Sequence, residues 1–352
     1  KQSLVQLGYG VHQKRIRATI ASTTSNIAVD IACDKEETKL LLEAAEIPVP
    51  RGVVVRTEAG LEEAIQKFGY PLVIKPIDGN HGKGVAWAAK KFNKKTVVFV
   101  PKDTSINRIK AIKSFNAIVY QLDLNYEETC AYASKKCDEN GWKLVQDASW
   151  ENYEEIPSLI MSGYLTHFKE IEFPNNKNSK SKFDIIFLQC GVGSWASSCI
   201  WYYLNHYKEN RPKIVLVEPE ESCGVFESFK NDNRMSPNTS FNTIMAGLNC
   251  GIPSKNAWEI IKNGCDAVIK ISDEQTKKAM KQFYNPIGND LKIISGESGA
   301  AALGGLIKVL DFEQPNDLKK HLNLNQDSKI LLFNTEGDTD PDSFKKIVSE
   351  FN

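Results

Sequence analysis

Two segments of the chain set glycine beside small polar residues between an apolar run and a helix-forming run: Asp78-Gly79-Asn80-His81-Gly82-Lys83-Gly84 and Gln189-Cys190-Gly191-Val192-Gly193-Ser194. Glycine lets the backbone approach an anion closely, and the helix start that follows offers unpaired N–H groups and a favourable dipole. A phosphate at Gly191, Val192, Gly193 and Ser194 is one physical reading of the second loop, and a tight structural turn is the other. The first loop adds Asp, Asn and His, which a turn alone does not require. Two later stretches, Ser295-Gly296-Glu297-Ser298-Gly299-Ala300 and Asn334-Thr335-Glu336-Gly337-Asp338-Thr339-Asp340, have the same character. Open α/β sheets present ligands at the carboxyl ends of their strands, where these loops would fall. Polar loops with helix caps are the plainer alternative.

The elements that must position these loops follow from periodicity. Asp34, with Glu37 three residues on, forms a capping pair that predicts a helix from about 35, and residues 58–68 read as a second helix. Residues 71–77 read as a strand entering the first glycine loop, with a helix from Val85 behind it. Strands at 96–100, 117–121 and 143–145 then alternate with helices at 105–114 and 126–139, the pattern of parallel βαβ units. Residues 175–182 are polar and read as a linker. Near-continuous apolar runs at 183–188, 213–217, 267–271 and 329–333 fit parallel strands buried on both faces.

Composition narrows the class. The 352 residues are 41% hydrophobic and 25% charged, with enough chain for two ordinary domains. No run approaches the ~18 apolar residues of a membrane helix. Lys+Arg and Asp+Glu both number 44, so the basic bias that draws proteins to nucleic acid is missing and no nucleic-acid partner is expected. Eight cysteines without a C-x-x-C pair predict reduced, mostly buried thiols in a cytoplasmic protein, and no metal site. The chain begins at Lys1, and no charged segment followed by an apolar one suggests a secretory signal.

From Asp78 onward the sequence resembles the diaminopropionate ammonia-lyases, pyridoxal-phosphate enzymes of fold type II, the tryptophan-synthase-β type. The matching stretches run in the family's order: the Asp78 loop through Ala89, Val145-Gln146-Asp147-Ala148-Ser149-Trp150-Glu151-Asn152-Tyr153, the 189–194 loop, Val217-Glu218-Pro219, residues 243–251, 293–300 and 334–340. The resemblance implies two open twisted parallel sheets flanked by helices. It also implies a pyridoxal 5′-phosphate cofactor, a small amino-acid substrate and a homodimer. It assigns phosphate binding to residues 191–194, a contact with the cofactor 3′-oxygen to Asn80, and contacts near the pyridine nitrogen to Asn334 and Thr335. Glu297 orients ligand or caps the next helix. Asp78 would take the α-proton of 2,3-diaminopropionate, and Asp147 would bind or protonate the departing β-ammonium group, giving pyruvate and ammonia. Trp87, Trp150 and Trp195 are expected in the core or the pocket wall, and His81 beside the cofactor or packed in its loop.

Residues 1–77 resemble a different family, the ATP-grasp module of cyanophycin synthetase. Gln6-Leu7-Gly8-Tyr9-Gly10, Ala32-Cys33-Asp34-Lys35-Glu36-Glu37-Thr38 and the run from Tyr70 to Gly82 carry that likeness. Both families own a DGNHG loop, so the chain reads as two partial proteins joined within 78–85. The expected organisation is a partial ATP-grasp-like α+β segment at 1–77, a small βαβ domain at 78–165 and a large cofactor-binding domain at 166–352. On the ligase reading, Lys35 and Lys75 would contact ATP with Mg²⁺, although the lobe supplying the metal's carboxylates does not follow. On the lyase reading, the lysine that anchors the cofactor aldehyde lies upstream of DGNHG in the family, and its Arg-Phe-Gly-Leu-x-x-Phe-Lys stretch is absent here.

Overall fold

The computed structural model describes residues 80–102, 104–172, 181–311 and 317–349, together with the backbone of four short upstream strands. The expected helices at 35 and 58–68, and the polar stretch 173–180, lie outside the described residues. The chain divides into two compact units, 1–70 and 71–352. In the first, β1 (Leu4–Leu7), β2 (Lys14–Arg17) and β3 (Ile20–Ala21) form an antiparallel sheet in that order.

The second unit opens with a small lobe: β4 (Leu72–Ile74), α1 (Asn80–Lys91), β5 (Val97–Pro101), α2 (Ile106–Lys113), β6 (Ile118–Leu122), α3 (Tyr126–Asn140) and β7 (Lys143–Val145). Its strands are parallel in the order β6-β5-β4-β7, so β4 is a central strand of this sheet. Residues 72–74, which resemble the ligase, therefore fold with the small lobe of the second unit. Helix α3 is well delimited: Asn125 and Glu128 close a reciprocal capping box, and Gly141 ends the helix in the left-handed region at φ 63°.

One long helix, α4 (Glu155–Glu172), leaves the small lobe. Ile156 and Ile160 pack on the small-lobe core of Ala86, Val98, Ile109 and Val145. Tyr164, Leu165 and Phe168 pack in the core of the large lobe. That lobe contains β8 (Ile185–Gln189), α5 (Ser194–Tyr207), β9 (Lys213–Pro219), α6 (Gly224–Lys230), α7 (Lys255–Gly264), β10 (Ala267–Ile271), α8 (Asp273–Tyr284), α9 (Glu297–Asp311), α10 (Asp317–Leu322), β11 (Ile330–Leu332) and α11 (Pro341–Ser349). Its sheet is parallel, ordered β10-β9-β8-β11.

The apolar runs have a direct explanation in this layering. Alternate residues of β8 enter different cores: Ile186 and Leu188 pack with Cys199, Ile200 and Tyr203 of α5, while Ile185 and Phe187 pack with Ala301, Leu306 and Val309 of α9. All five β8 residues are buried, Gln189 at the carboxyl end included, so no position on the strand faces water. Two expectations fail locally. Residues 80–84 are the first turns of α1 and not a loop, and Trp87 is 52% exposed because Ala86 and Ala89 form the buried stripe of that helix.

Candidate active site

The carboxyl ends of β8 and β7 meet a cavity of about 790 Å³ lined by residues of both lobes. Its large-lobe wall is the loop after β8. Gly193 sits at φ 90°, and a Cβ there would lie 2.6 Å from Ile261 Cδ1, so both conformation and space demand glycine. At Gly191 a Cβ would meet Cys250 Sγ, the Gly247 carbonyl oxygen and Leu248 Cα, each at 3.3 Å. No side chain caps α5 at Gly193, which leaves the first N–H groups of a fourteen-residue helix at the cavity wall. That is an anion cradle made of backbone.

The small-lobe side is set by the chain after β7. The Tyr153 hydroxyl donates to the Leu144 carbonyl oxygen at 3.0 Å and accepts from the Gln146 N–H at 2.9 Å, folding residues 144–153 back on themselves. Ser149 N–H donates to Ser254 Oγ at 2.8 Å, and Lys255 N–H to the Ser149 carbonyl oxygen at 3.0 Å. Ser254 N–H in turn donates to the Val192 carbonyl oxygen at 2.8 Å. Residue 254 thus ties the Asp147 segment to the glycine loop.

Three polar atoms are buried on this cavity without a hydrogen-bond partner: Asp147 Oδ1, Gln189 Oε1 and His81 Nε2. A buried polar group left unpaired costs about 1–3 kcal/mol, so three on one cavity mark a place made for a polar ligand. Across the cavity, Gln189 Nε2 donates to Thr335 Oγ1 at 2.6 Å and to the Phe333 carbonyl oxygen at 3.1 Å. Ser298 Oγ accepts from the Gly247 N–H at 2.9 Å. Each of these two hydroxyls accepts a bond and keeps its own O–H to donate. The aromatic wall is Tyr164, Trp195 and Phe333, with Trp195 and Phe333 edge-to-face at 5.1 Å. Burial pushes the Tyr164 phenol up, so it stays neutral.

Of the residues singled out from sequence, Asp147, Gly191, Val192, Gly193, Ser194, Asn334 and Thr335 all line the cavity, as do His81 and Trp195. Asn334 does so with its amide already engaged: Nδ2 donates to the Ile294 carbonyl oxygen at 2.8 Å and Oδ1 accepts from the Glu336 N–H at 3.3 Å. Glu297 is not among the lining residues. Its Oε1 accepts from Ser343 Oγ at 2.6 Å, and burial foremost pushes its carboxyl up. Asp78, Lys35 and Lys75 lie outside the described residues, and Asn80 is described only as the start of α1. Trp150 lies away from this cavity, stacked on Tyr153 at 4.5 Å. Ser298 and Gly247 lie within the stretches 295–300 and 243–251 but have no individual role read there, and nothing local marks Tyr164 or His167. Ser298 follows Glu297 in the first turn of α9, a setting equally common in plain helix starts.

A family model described as "Pyridoxal-phosphate dependent enzyme" matches residues 50–335, spanning the glycine loop, the Asp147 segment and the Thr335 wall. The chain belongs to the pyridoxal-phosphate-dependent enzyme family. It is 36% identical over 273 residues to the diaminopropionate ammonia-lyase of Escherichia coli strain K12, covering 78% of this chain and 68% of the relative. The crystal structure of selenomethionine-incorporated holo diaminopropionate ammonia lyase from Escherichia coli superposes with a TM-score of 0.72 at 31% identity, over 88% of this chain and 76% of that one. A separate likeness covers 85 residues: 55% identity to cyanophycin synthetase of Crocosphaera subtropica, which is 24% of this chain and 10% of the synthetase.

Pyridoxal phosphate is the cofactor of that family, and the cavity fits it in two respects. Residues 191–194 and the uncapped start of α5 suit its phosphate, and the hydroxyls of Ser298 and Thr335 can donate to its ring nitrogen. A third respect is unmet: among the described residues lining the cavity there is no lysine. The described residues contain no group of three or more His, Cys, Asp or Glu side chains that could hold a metal, and their seven cysteines are free thiols. No described helix is long and apolar enough to cross a membrane.

Proposed function

We propose that this chain is a pyridoxal-phosphate-dependent ammonia-lyase of the diaminopropionate type, carrying out β-elimination of 2,3-diaminopropionate to pyruvate and ammonia. The observation that carries the reading is Asp147: a carboxylate oxygen buried without a partner on a cavity that a backbone anion cradle also lines. A substrate with a second amino group supplies the cation that this carboxylate lacks.

When bound, the cofactor supplies an electron sink for negative charge developing at the substrate α-carbon. The chain's own residues do the rest. The 191–194 loop holds the phosphate and thereby sets the ring's position. Ser298 and Thr335 hold a proton at the ring nitrogen, and Asn334 fixes the loop that presents Thr335. Asp147 orients the β-ammonium group and receives it as it leaves, a charge-assisted contact in a site from which Tyr164, Trp195 and Phe333 exclude water. Asp78 is the base assigned to the α-proton. One molecule of substrate plus one of water yields one pyruvate and two ammonia.

Turnover is impaired on this reading because the stretch that carries the family's anchoring lysine is absent from the sequence. Its support is the sequence upstream of DGNHG, which resembles cyanophycin synthetase where the lyase family carries its lysine stretch. The organisation that follows is a partial ATP-grasp-like segment at 1–77 whose strand 72–74 joins the sheet of a small lobe at 78–165, and a large lobe at 166–352. The 55% identity over 85 residues favours a second reading for the front segment alone, an ATP-binding remnant using Lys35 and Lys75. The test is pyruvate release from 2,3-diaminopropionate with added cofactor, before and after residues 1–77 are replaced by the corresponding segment of the Escherichia coli lyase. The reading expects slow release that the graft restores, and no release from the grafted chain contradicts it.

A further inference from the structure

Arg108 and Glu336 are 228 positions apart and come from different lobes, yet they form a buried ion pair at 2.9 Å with side chains only 8% and 1% exposed. Glu336 is a hub. Its Oε1 accepts from Arg108 and from Thr339 Oγ1 at 2.8 Å, and its Oε2 accepts from the Ser298 N–H at 3.0 Å, in the first turn of α9. Its backbone carbonyl oxygen accepts from the Gly296 N–H at 3.0 Å. The fit is close enough that a Cβ at Gly296 would lie 2.9 Å from Glu336 Cγ and 2.5 Å from the Gly337 carbonyl oxygen. Glu336 therefore fixes the segment that carries Ser298, Asn334 and Thr335, one wall of the cavity.

Arg108 leads to the other wall. It lies on α2, whose Ile109 and Ile112 share a core with Val85 and Ala86 of α1, and α1 brings His81, Gly84 and Val85 to the cavity. These two walls of the cavity thus connect through an ion pair, whereas the 191–194 cradle is tied to the small lobe by other bonds, Ser194 Oγ to the Asp147 carbonyl oxygen and Ser254 to Val192 and Ser149.

We infer that Arg108 and Glu336 form an interlobe latch that sets the width of the ring end of the cavity, which makes Arg108 a positioning residue for the cofactor ring and not for its phosphate. This rests on the proposed cofactor site. The latch separates two ligands that a general loss of structure would affect alike. Arg108→Met should weaken pyridoxal phosphate binding by about tenfold or more, the loss expected for one buried charge-assisted bond, while leaving inorganic phosphate binding at the glycine loop unchanged. Arg108→Lys should recover most of the loss. Asp266→Asn is the control: it breaks a comparable cluster with Arg211 and Lys213, remote from the cavity lining, and should leave both ligands unaffected.

Equilibrium dialysis with each ligand reads the first arm. Amide exchange in the ligand-free chain reads the second, and it does not depend on cofactor binding. There Arg108→Met should speed exchange at Ser298 and Gly296 by about tenfold while sparing Val225 and Phe226, whose N–H groups bond Glu218. If the unmodified chain binds no pyridoxal phosphate, the cofactor site fails and the exchange arm still judges the latch. Unchanged exchange at Ser298, or equal weakening of both ligands, overturns it.

Discussion

Ser194 Oγ donates to the backbone carbonyl oxygen of Asp147 at 2.7 Å, with both partners buried. The bond joins the first residue of α5, at the anion cradle, to the residue whose carboxylate lines the same cavity. The Ser194 hydroxyl, together with the bonds of Ser254 to Ser149 and Val192, therefore places the phosphate seat relative to the Asp147 carboxylate across the two lobes. The same bond commits the Ser194 proton, so the cradle offers an anion its backbone N–H groups.

Ser194→Ala removes that link without touching the cradle's backbone. One neutral hydrogen bond contributes about 1 kcal/mol, so pyridoxal phosphate binding should weaken roughly fivefold. Pyruvate formation should fall further than binding, because the Asp147 segment loses its register. Equilibrium dialysis and a coupled pyruvate assay on the same preparation measure the two effects.

The two helix-associated glycines Gly193 and Gly163 should respond in opposite directions to alanine. Gly193→Ala demands φ 90° of a side-chain-bearing residue and drives Cβ into Ile261, so a loss of about 2 kcal/mol or more is expected. Gly163 lies inside α4, exposed, with nothing within 4 Å of an added Cβ. Gly163→Ala should stabilise by about 0.5–1 kcal/mol, seen as a higher melting temperature.

Glu218 gives the second unit a pH dependence of defined sign. Burial, its largest influence, pushes the carboxyl up from 4.5 to about 8 against the opposing N–H bonds of Val225 and Phe226 at 2.8 Å. The folded chain then holds this proton more tightly than the unfolded chain does. Its contribution is complete at and below the unfolded value and is lost as pH rises toward 8, by roughly 1.4 kcal/mol per pH unit. Denaturation midpoints between pH 5 and 8 should fall with rising pH, and Glu218→Gln should flatten that slope.

Much of this architecture is legible in the residues, and the exceptions have physical causes. The apolar runs at 183–188 and 213–217 announce strands because each of residues 185–188 of β8 must satisfy one of two cores. The 189–194 loop is legible because φ 90° at Gly193 admits little else. The start of α1 is not: Asn80, Gly82 and Gly84 are poor helix formers, and the helix begins there because Ala86 and Ala89 pack on the small-lobe core. Strand order is also hidden, since nothing local tells β4 to pair with both β5 and β7. Glu336 escaped notice for the same reason. Its partner Arg108 is distant in the chain, and a carboxylate in a polar loop looks solvated until the fold buries it.

Asp147→Asn keeps the shape and removes the charge that the proposed substrate's second ammonium group needs. Pyruvate release from 2,3-diaminopropionate should fall by roughly 10²-fold or more, the scale of a lost charge-assisted contact at the reacting group. Cofactor binding should hold within about twofold, because the phosphate cradle is unaltered. A matched loss of cofactor affinity would place Asp147 in the structure of the site and not in its chemistry.

The most direct measurement is borohydride reduction of the purified chain loaded with pyridoxal phosphate, followed by peptide mapping. The cofactor is expected to bind reversibly, to dialyse away after reduction and to leave no pyridoxyl-lysine peptide. A single stoichiometric pyridoxyl-lysine at the cavity would contradict the account, because it would show that an anchoring amine is present after all.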